Sequence, residues 1–587
     1  MLTRNQFEIL IQLKTSSFDT QRSLAESAKM SVGLVNKTLK ELKYADLIDD
    51  YTLSDKGKEI IQKYKVDNAI ILAAGMCTRF VPVSYEIPKG LTVVKGEVLI
   101  ERQIRQLKEA GIDEIYIVVG HMMEKFLYLG DKFGVHFVVN NEYKTKNTHS
   151  SIFAARDYLK RSYICCSDNY YPNNMFRAYE YSSMYCGCFM PGINNERALI
   201  TNGNGLIVDT QKPAENQYCM VGHAYFDDSF SKKFKTLVED YHGRQGTDDM
   251  YWENIYAEHV KELPMYMQKC EPEDILEFDS ISELSKFDSN YIAENDLHSV
   301  KNICSLLKCE PKEITNIKPF PNGLTNKSFR FECRGVLYVY RNPGKGSVGY
   351  IDRAREKFAT QVAKGLGIDD SYIYEDETSG WKLSNFINAD SDFDFYNKDH
   401  LTLLAHHIHK LVSSNIKCGS KFDYFEESDK LLDRIHFLDE ESYNSILPQR
   451  KKFEKINKTL KKDNWPVQLC HNDIYSDNLL VSRSNLSMID WEYAGDTDIG
   501  YDICRMFAAQ NADIEEVPEF LSYYYGRMPT HEEQKHLLGC AALTYYYWFV
   551  WATYMTKTGE NLASNMLVYN SKMNKYRKAF ECSVGGE

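Results

Sequence analysis

The amino-acid sequence predicts a multidomain protein of mixed α/β and α+β class. A chain of 587 residues is too long for one hydrophobic core, because single cores stop growing at about 250–300 residues. After residue 66, apolar strands alternate with helices, which is typical of an α/β domain with a largely parallel sheet. A separate pattern of polar loop and apolar strand lies between His471 and Asp490. We therefore predict three modules, at residues 1–65, 66–292 and 293–587.

Composition narrows the class of protein. Hydrophobic residues make up 43% of the chain and charged residues 26%, and no run approaches the eighteen or so apolar residues of a membrane span. The N-terminus lacks the small-residue cleavage pattern of a secretory signal, so we expect a cytoplasmic protein with no membrane segment. The 15 cysteines contain no CxxC pair, which favours reduced thiols. The net charge of −13 argues against broad nucleic-acid binding and suits pockets that accept a cation.

The first module has the pattern of a small helical domain. Apolar positions at helical spacing predict helices within residues 20–28 and 31–42, and residues 47–53 predict a small ribbon. This arrangement resembles a winged helix-turn-helix. The module carries 11 Lys or Arg against 9 Asp or Glu, too little positive charge for strong phosphate binding. We therefore expect docking or dimerisation, including a homodimer, in preference to DNA binding.

An apolar strand in residues 67–80 leads into a loop of small residues. Small residues let backbone N–H groups approach phosphates, and a nearby Arg and Lys add positive charge. The loop and these cations predict a nucleotide-phosphate site formed by Leu72, Ala73, Ala74, Gly75, Arg79 and Lys89.

The order LAAGxxxR…PK in this region resembles the nucleotidyltransferases that release pyrophosphate. The resemblance implies a Rossmann-like nucleotidyltransferase domain in which the loop cradles a triphosphate and Lys89 neutralises it. Cys77 stands where that family usually has Gly. The substitution removes backbone freedom from the loop, which leaves its path open.

Two carboxylates are candidates to hold Mg²⁺ in this domain. A strand ends at Asp168, within Asp168-Asn169-Tyr170, and Trp252-Glu253-Asn254 follows later. These segments resemble the DNY and YWDN segments of bacterial CTP:phosphocholine cytidylyltransferases. The resemblance implies Asp168 and Glu253 as metal ligands. Because Glu253 is one methylene longer than Asp, Asp279 is kept as an alternative.

The stretch from His471 to Asp490 predicts a phosphoryl-transfer site. A catalytic loop holds Asp473 and Asn478, and residues 478–490 predict one apolar strand that ends in Asp490. Phosphoryl transfer needs positioning and charge neutralisation above all. Asp473 is therefore the predicted catalytic base, and Asn478 and Asp490 are the predicted metal ligands.

The same stretch resembles the aminoglycoside phosphotransferase and choline kinase superfamily, whose loop reads HxDxxxxN. Its second metal residue lies in a segment like the IDWEYAG of residues 489–495. The resemblance implies a bilobal protein-kinase-like domain in which Arg341 contacts the phosphates and pairs with Glu356. The nucleotide-binding residues that it implies are Asn322, Gly323, Thr325, Asn326, Arg341, Glu356 and Ile387.

Aromatic residues make up 13% of the chain, and 41 of them are tyrosines. A quaternary ammonium group cannot donate hydrogen bonds, so a selective pocket uses ring faces and a carboxylate. We predict Tyr170, Phe226 and Trp252 as choline-binding residues of the transferase. In the kinase we predict Trp491, Glu492, Trp548 and Trp551.

The two resemblances together imply a bifunctional enzyme with ATP and CTP as co-substrates and Mg²⁺ as cofactor. Choline and ATP would give phosphocholine, which with CTP would give CDP-choline and pyrophosphate. One alternative keeps both reactions but acts on ethanolamine or another small alcohol. Another is a DNA-binding regulator that senses CDP-choline. Asp473, Asn478 and Asp490 favour an enzyme, because a sensor does not need a base and two metal ligands.

Overall fold

The computed structural model describes residues 2–77, 80–278, 280–320, 326–344, 350–482 and 485–585. The chain forms two compact units, Met1–Asn302 and Ile303–Glu587. The predicted boundary at residue 292 is therefore too early. Asp288 and Asn295 belong to the first unit, because their side chains accept hydrogen bonds from the backbone N–H groups of Lys95 and Val93 at 2.6 and 2.8 Å.

The N-terminal module is part of the first unit. It has the predicted helices and ribbon, preceded by one helix and followed by another. Its elements are α1 (Arg4–Thr15), α2 (Gln21–Ser27), α3 (Val32–Tyr44), β1 (Ile48–Asp49), β2 (Thr52–Leu53) and α4 (Asp55–Gln62). Thr3, Thr20, Ser31 and Ser54 cap the four helices by accepting a hydrogen bond from a first-turn N–H group.

This module docks on residues 176–181 of the same unit. Arg177 Nη2 lies 2.9 Å from Glu8 Oε2, and the rings of Tyr64 and Tyr181 stack with centroids 5.9 Å apart. The backbone N–H of Val66 donates to the carbonyl of Ala178 at 2.9 Å. The module thus shares a hydrophobic cluster with the larger domain, which includes Tyr179.

The larger domain of the first unit is built on a nine-stranded sheet in the order β11-β10-β12-β8-β3-β6-β7, with β9 against β12 and β13 against β9. Its elements are β3 (Asn68–Ala73), α5 (Val83–Glu86), β4 (Val93–Val94), β5 (Glu97–Val98), α6 (Leu99–Glu109), β6 (Ile115–Val119), α7 (Tyr128–Phe133), β7 (His136–Val139), α8 (Thr148–Ala155), β8 (Ser162–Cys166), β9 (Met184–Asn194), β10 (Ala198–Thr201), β11 (Ile207–Gln211), β12 (Ala214–Phe226), α9 (Asp228–His242), α10 (Trp252–Glu258), β13 (Tyr266–Cys270), α11 (Ile281–Phe287) and α12 (Tyr291–Glu294).

The prediction of a largely parallel sheet is wrong for half of this sheet. Strands β8, β3, β6 and β7 are parallel, but β12 pairs antiparallel with β8, β9 and β10. All six residues of β3 are buried, as expected for a central strand covered on both faces. The parallel half positions the site, because β3 and β8 deliver their following loops to the same edge.

The second unit is bilobal. The helix α13 (His298–Leu307) contains the boundary between the units. The further elements are β14 (Ile314–Pro319), β15 (Asn326–Cys333), β16 (Val336–Pro343), α14 (Arg353–Gly365), β17 (Tyr372–Glu375), β18 (Lys382–Asn385), α15 (Lys398–Ser414), α16 (Tyr424–Leu438), α17 (Glu440–Asp463), β19 (Val467–Cys470), β20 (Leu479–Ser482), β21 (Asn485–Met488), β22 (Gly495–Asp498), α18 (Ile499–Gln510), α19 (Val517–Tyr525), α20 (His531–Lys557) and α21 (Ala563–Gly585).

The smaller lobe is an antiparallel sheet in the order β14-β15-β16-β18-β17. The larger lobe is mainly helical, and its core includes Tyr545, Tyr546 and Tyr547 of α20. The prediction of one strand over residues 478–490 is wrong. The residues form an antiparallel hairpin of β20 and β21, in which Leu479 pairs with Met488. Among the described residues, no helix is long and apolar enough to cross a membrane.

Candidate active sites

In the first unit, a buried ion pair joins the two loops that the sequence singles out. Lys89 Nζ lies 2.8 Å from Asp168 Oδ2, and the Lys89 side chain is only 8% exposed. Burial would lower the pKa of Lys89, but Asp168 and Glu277 raise it above its ordinary value. Gly90 permits this approach, because a Cβ there would lie 2.8 Å from Ser167 Oγ. Lys89 is therefore held as a cation beside Asp168.

Three carboxylates affect the pKa of one partly buried thiol in this unit. Besides desolvation, Asp168, Glu253 and Glu277 all raise the pKa of Cys166. Burial raises the pKa of Glu253 to about 7, and its Oε2 has no hydrogen-bond partner among the residues that the structure describes. A buried carboxylate oxygen without a hydrogen-bond partner is suited to bind a cation. Glu277 was not predicted from the sequence, although it lies two residues before the candidate Asp279.

A cavity of about 400 Å³ lies against the small-residue loop. Ala74, Gly75 and Cys77 line one side of it, and Lys144 and Lys146 line another. Cys77 adopts a left-handed backbone with φ of 47°. The loop thus keeps a conformation that favours glycine, although a cysteine occupies the position. The backbone and the two lysines make this cavity suitable for a nucleotide phosphate. Leu72 and Ala73 end the buried strand behind it.

The three rings predicted to bind choline in this unit lie in packed surroundings. Phe226 is fully buried, with ring centroids 4.4 Å from Phe230 and 5.4 Å from Trp252. Trp252 is 2% exposed. Tyr170 is 8% exposed and lies under the Arg102 guanidinium at 4.7 Å. These contacts favour a packing role for Phe226 and Trp252, and they leave Tyr170 beside a cation of the protein.

In the second unit, His471 organises the catalytic loop. The backbone N–H of Asp473 donates to His471 Nδ1 at 3.2 Å, so the ring proton lies on Nε2, 3.0 Å from the carbonyl oxygen of Ile489. Burial lowers the pKa of His471 to about 4, which keeps it neutral. The next residue, Asn472, and the metal candidate Asp490 both have left-handed backbones with φ of 65°.

Asp473 is held by two partners. Its Oδ1 accepts a hydrogen bond from Arg505 Nε at 3.0 Å and lies 2.9 Å from Arg505 Nη2 in an ion pair. Its Oδ2 accepts one from Asn478 Nδ2 at 3.2 Å. Burial raises the pKa of Asp473 to about 6, while the charge of Arg505 and both hydrogen bonds oppose the increase. The carboxylate is therefore ionised at neutral pH and fixed in orientation, as a general base requires.

Arg341 joins three elements around buried carboxylates. Its Nη2 lies 2.5 Å from Glu356 Oε1 on α14, and its Nη1 lies 2.8 Å from Asp490 Oδ1. Despite full burial, Arg341 and the neighbouring Lys382 lower the pKa of Glu356. Burial and Glu356 raise the pKa of Glu375. Lys382 on β18 lies directly opposite Arg341 on β16 in the sheet. The side chains of these two cationic residues therefore lie on the same face of the sheet.

A cavity of about 600 Å³ collects the site residues of this unit. The predicted residues that line it are Asn326, Arg341, Ile387, Asp473, Asn478, Asp490, Glu492, Trp548 and Trp551. Lys382, Arg505 and Tyr569 also line it and were not predicted, because no motif in the sequence includes them.

The aromatic wall of this cavity differs from the prediction at one position. Trp548 and Trp551 meet at 5.2 Å in an edge-to-face arrangement. The guanidinium of Arg505 covers one face of Trp548 at 4.2 Å. Trp491, in contrast, is fully buried, donates from Nε1 to the carbonyl of Met488 at 2.9 Å and packs on His471. Its ring supports the catalytic loop and does not line the cavity.

Glu492 lines the cavity but is occupied by protein partners. Its Oε2 accepts a hydrogen bond from Asn326 Nδ2 at 3.0 Å, and burial with the nearby Asp490 raises its pKa. Five further predicted residues lie outside the described part of the chain. They are Arg79, Asp279, Asn322, Gly323 and Thr325.

Two family models match the chain. The MobA-like NTP transferase domain matches residues 69–168, which include the small-residue loop, Lys89 and Asp168. The choline/ethanolamine kinase model matches residues 393–542, which include Asp473, Asn478 and Asp490. The kinase and transferase resemblances inferred from the motifs are thereby confirmed.

Characterised proteins are similar to each unit. Choline-phosphate cytidylyltransferase of Streptococcus pneumoniae is 33% identical over 227 residues, covering 39% of this chain and 99% of that protein. A 2-aminoethylphosphonate cytidylyltransferase of Lancefieldella rimae is 34% identical over 229 residues, covering 38% of this chain and 93% of that protein. The solved structure of choline kinase LicA from Streptococcus pneumoniae is 24% identical, with a TM-score of 0.41, covering 48% of this chain and 97% of that one.

The chain thus combines a nucleotidyltransferase and a small-molecule kinase. It belongs to the choline-phosphate cytidylyltransferase family and carries a choline/ethanolamine kinase domain in the same polypeptide.

We predict that the pH dependence of the kinase reports on Asp473. Since its pKa is about 6, kcat/KM should fall as pH decreases through that value and the base becomes protonated. Arg505→Gln removes a charge that lowers this pKa, so the acid limb of the profile should move to higher pH. Arg527→Gln, which loses a surface pair with Glu533, serves as the control. An acid limb that Arg505→Gln leaves in place would contradict this prediction.

We also predict that Glu253 contributes more than Glu277 to the transferase. Glu253→Gln should lower kcat at least about 100-fold and raise the Mg²⁺ concentration needed, because a metal carboxylate supplies several kcal/mol in the transition state. Glu277 is exposed, and Glu277→Gln should cost less than about tenfold, since solvent screens its charge. The measurement is pyrophosphate release, with the exposed Glu271→Gln as control. A larger loss in Glu277→Gln would make Glu277 the ligand.

Proposed function

We propose that this protein makes CDP-choline in two steps on one chain. The kinase unit phosphorylates choline with ATP, and the transferase unit joins phosphocholine to the cytidylyl group of CTP with release of pyrophosphate. The observation that carries the proposal is that Asp473, the proposed base, and the rings of Trp548 and Trp551 line one cavity of the kinase unit. The product of the first reaction is the substrate of the second.

The kinase residues have separate roles in the first step. Asp473 accepts the proton of the choline hydroxyl as the hydroxyl oxygen attacks the γ-phosphorus of ATP, the bond from that phosphorus to the β,γ-bridging oxygen breaks, and ADP leaves. Oδ2 of Asp473 is the suitable atom, because Oδ1 already accepts a hydrogen bond from Arg505 Nε and forms an ion pair with its Nη2. Arg341 and Lys382 lie opposite each other on β16 and β18, and their charges neutralise the phosphates.

Mg²⁺ fits the donors that each unit offers. In the kinase, Asn478 and Asp490 supply oxygen atoms, which hard cations prefer. In the transferase, Asp168 and Oε2 of Glu253 do the same, and within the described part of the chain that oxygen has no hydrogen-bond partner. When bound, the ion neutralises charge on the reacting phosphates. Lys89 adds a fixed positive charge beside Asp168, which orients the triphosphate in the transferase.

The preference of the kinase for choline or ethanolamine depends on the aromatic rings that line its cavity. A trimethylammonium group is stabilised by ring faces without hydrogen bonds, whereas an ethanolamine ammonium loses its hydration and needs acceptors. Trp548, Trp551 and Tyr569 line the kinase cavity. Arg505 occupies one face of Trp548, but its charge is balanced by Asp473. The remaining ring surfaces therefore favour choline over ethanolamine.

A coupled assay tests the proposal directly. Full-length protein with ATP, CTP, choline and Mg²⁺ should yield CDP-choline, identified by mass. Asp473→Asn should lose choline phosphorylation about 100- to 10,000-fold, the usual contribution of a general base, while phosphocholine and CTP still react. Asp168→Asn should accumulate phosphocholine. Loss of both reactions in either folded variant would contradict independent sites.

We predict that the kinase rings set the preference for choline. Trp548→Leu and Trp551→Leu should each lower kcat/KM for choline about 2- to 30-fold, which corresponds to about 0.5–2 kcal/mol per ring. Ethanolamine should be affected less. Trp381, which packs on Tyr340 and does not line the cavity, gives the matched control Trp381→Leu. Equal kcat/KM for choline and ethanolamine in the wild type would contradict this prediction, because the enzyme would then have no preference for choline.

A further inference from the structure

The kinase unit contains a cluster of potential metal ligands outside its catalytic cavity. Asp498, His536 and Cys540 have ligand atoms that all lie within 4.8 Å of one another. His536 Nε2 is 2.7 Å from Asp498 Oδ2 and 3.4 Å from Cys540 Sγ. His536 is 2% exposed and Cys540 is fully buried. None of the three lines the catalytic cavity.

The fold directs all three side chains to one point. His536 and Cys540 are four residues apart on α20, which places them on one face of the helix. Asp498 ends β22 and caps α18, with Oδ1 accepting from the N–H of Gly500 at 2.8 Å, so Oδ2 is directed to the cluster. A Cβ at Gly500 would lie 3.0 Å from Cys540 Sγ. Glycine at this position leaves space beside the thiol.

A second carboxylate contacts the other ring nitrogen of His536 and orients the ring. His536 Nδ1 lies 3.2 Å from Asp463 Oδ2 at the end of α17. The ring of Trp465 stacks on His536 with centroids 4.2 Å apart and planes 7° from parallel. Metal-ligating histidines commonly donate their other N–H to a carboxylate, which fixes the tautomer and raises ligand basicity. His536 Nε2 thus faces Asp498 and Cys540, and His536 Nδ1 faces the supporting carboxylate of Asp463.

We propose that Asp498, His536 and Cys540 form a structural zinc site, with Asp463 as the supporting carboxylate. Sulfur, imidazole nitrogen and carboxylate oxygen are the donors that Zn²⁺ takes. A thiolate and a carboxylate also balance the charge of a divalent ion. Water completes the fourth position. The simpler alternative is a metal-free His536 that is hydrogen-bonded to Asp463 and Asp498.

The site would stabilise the aromatic wall of the kinase. It would connect α20 to the start of α18 through Asp498 and to the end of α17 through Asp463. Farther along, α20 carries Trp548 and Trp551, and α18 carries Arg505. A bound metal therefore stabilises the packing of the elements that supply these side chains, without contacting substrate.

Cobalt titration of the full-length protein tests this proposal. Reduced protein is stripped with a chelator, dialysed and titrated with Co²⁺ in the absence of nucleotide. We expect one Co²⁺ per chain with a sulfur-to-cobalt charge-transfer band, displacement by Zn²⁺ and a higher Tm. Cys540→Ser should lose the band. Cys166→Ser should keep it, which excludes the thiol beside the transferase carboxylates. Asp463→Asn should weaken binding about 10- to 100-fold.

Three results would overturn the proposal. The first is wild-type protein without the charge-transfer band, which needs no folded variant to interpret. The second is a band that survives in Cys540→Ser. The third is unchanged affinity in Asp463→Asn, whose carboxylate is 35% exposed and whose amide replacement keeps its shape. Circular dichroism of each variant establishes that it is folded.

Discussion

Buried cations paired with carboxylates hold both active sites together. Lys89 pairs with Asp168 in the transferase, and Arg341 pairs with Glu356 in the kinase. Arg505 pairs with Asp473. An unpaired buried charge costs several kcal/mol, and removing one partner of such a pair typically costs about 3–5 kcal/mol. Each pair joins two different segments of its unit, so the catalytic geometry exists only when that unit is folded.

The part of each site that lies in one short segment could be predicted from sequence. Asp473, Asn478 and Asp490 lie close together in sequence. The catalytic loop and the hairpin that follows it bring all three residues to one cavity. Asp168 and Lys89 were predicted from the resemblance of their segments to nucleotidyltransferase motifs. The structure pairs the two residues, which lie far apart in sequence, at 2.8 Å. Local spacing is sufficient for Asp473, Asn478 and Asp490, whereas the pairing of Lys89 with Asp168 depends on the fold.

Other features depend on contacts that no local pattern contains. Trp491 and Trp548 look alike in sequence, yet one packs on His471 and the other lines the cavity. Lys382 and Arg505 reach the site from other strands and helices. The hairpin of β20 and β21 was missed because its apolar residues continue on both sides of the polar residues 482–485. The antiparallel half of the transferase sheet was missed because apolar strand patterns do not encode direction.

The left-handed backbones of Asn472 and Asp490 restrict which residues these two positions can carry. Most residues with a Cβ lose roughly 1–2 kcal/mol in that conformation, whereas Asn and Asp adopt it more readily. Glycine would also fit the backbone, but it would remove the hydrogen bond that Asn472 Nδ2 donates to the carbonyl of Tyr493 and the ion pair of Asp490 with Arg341. Asparagine and aspartate therefore satisfy both the backbone and the side-chain contacts at these positions.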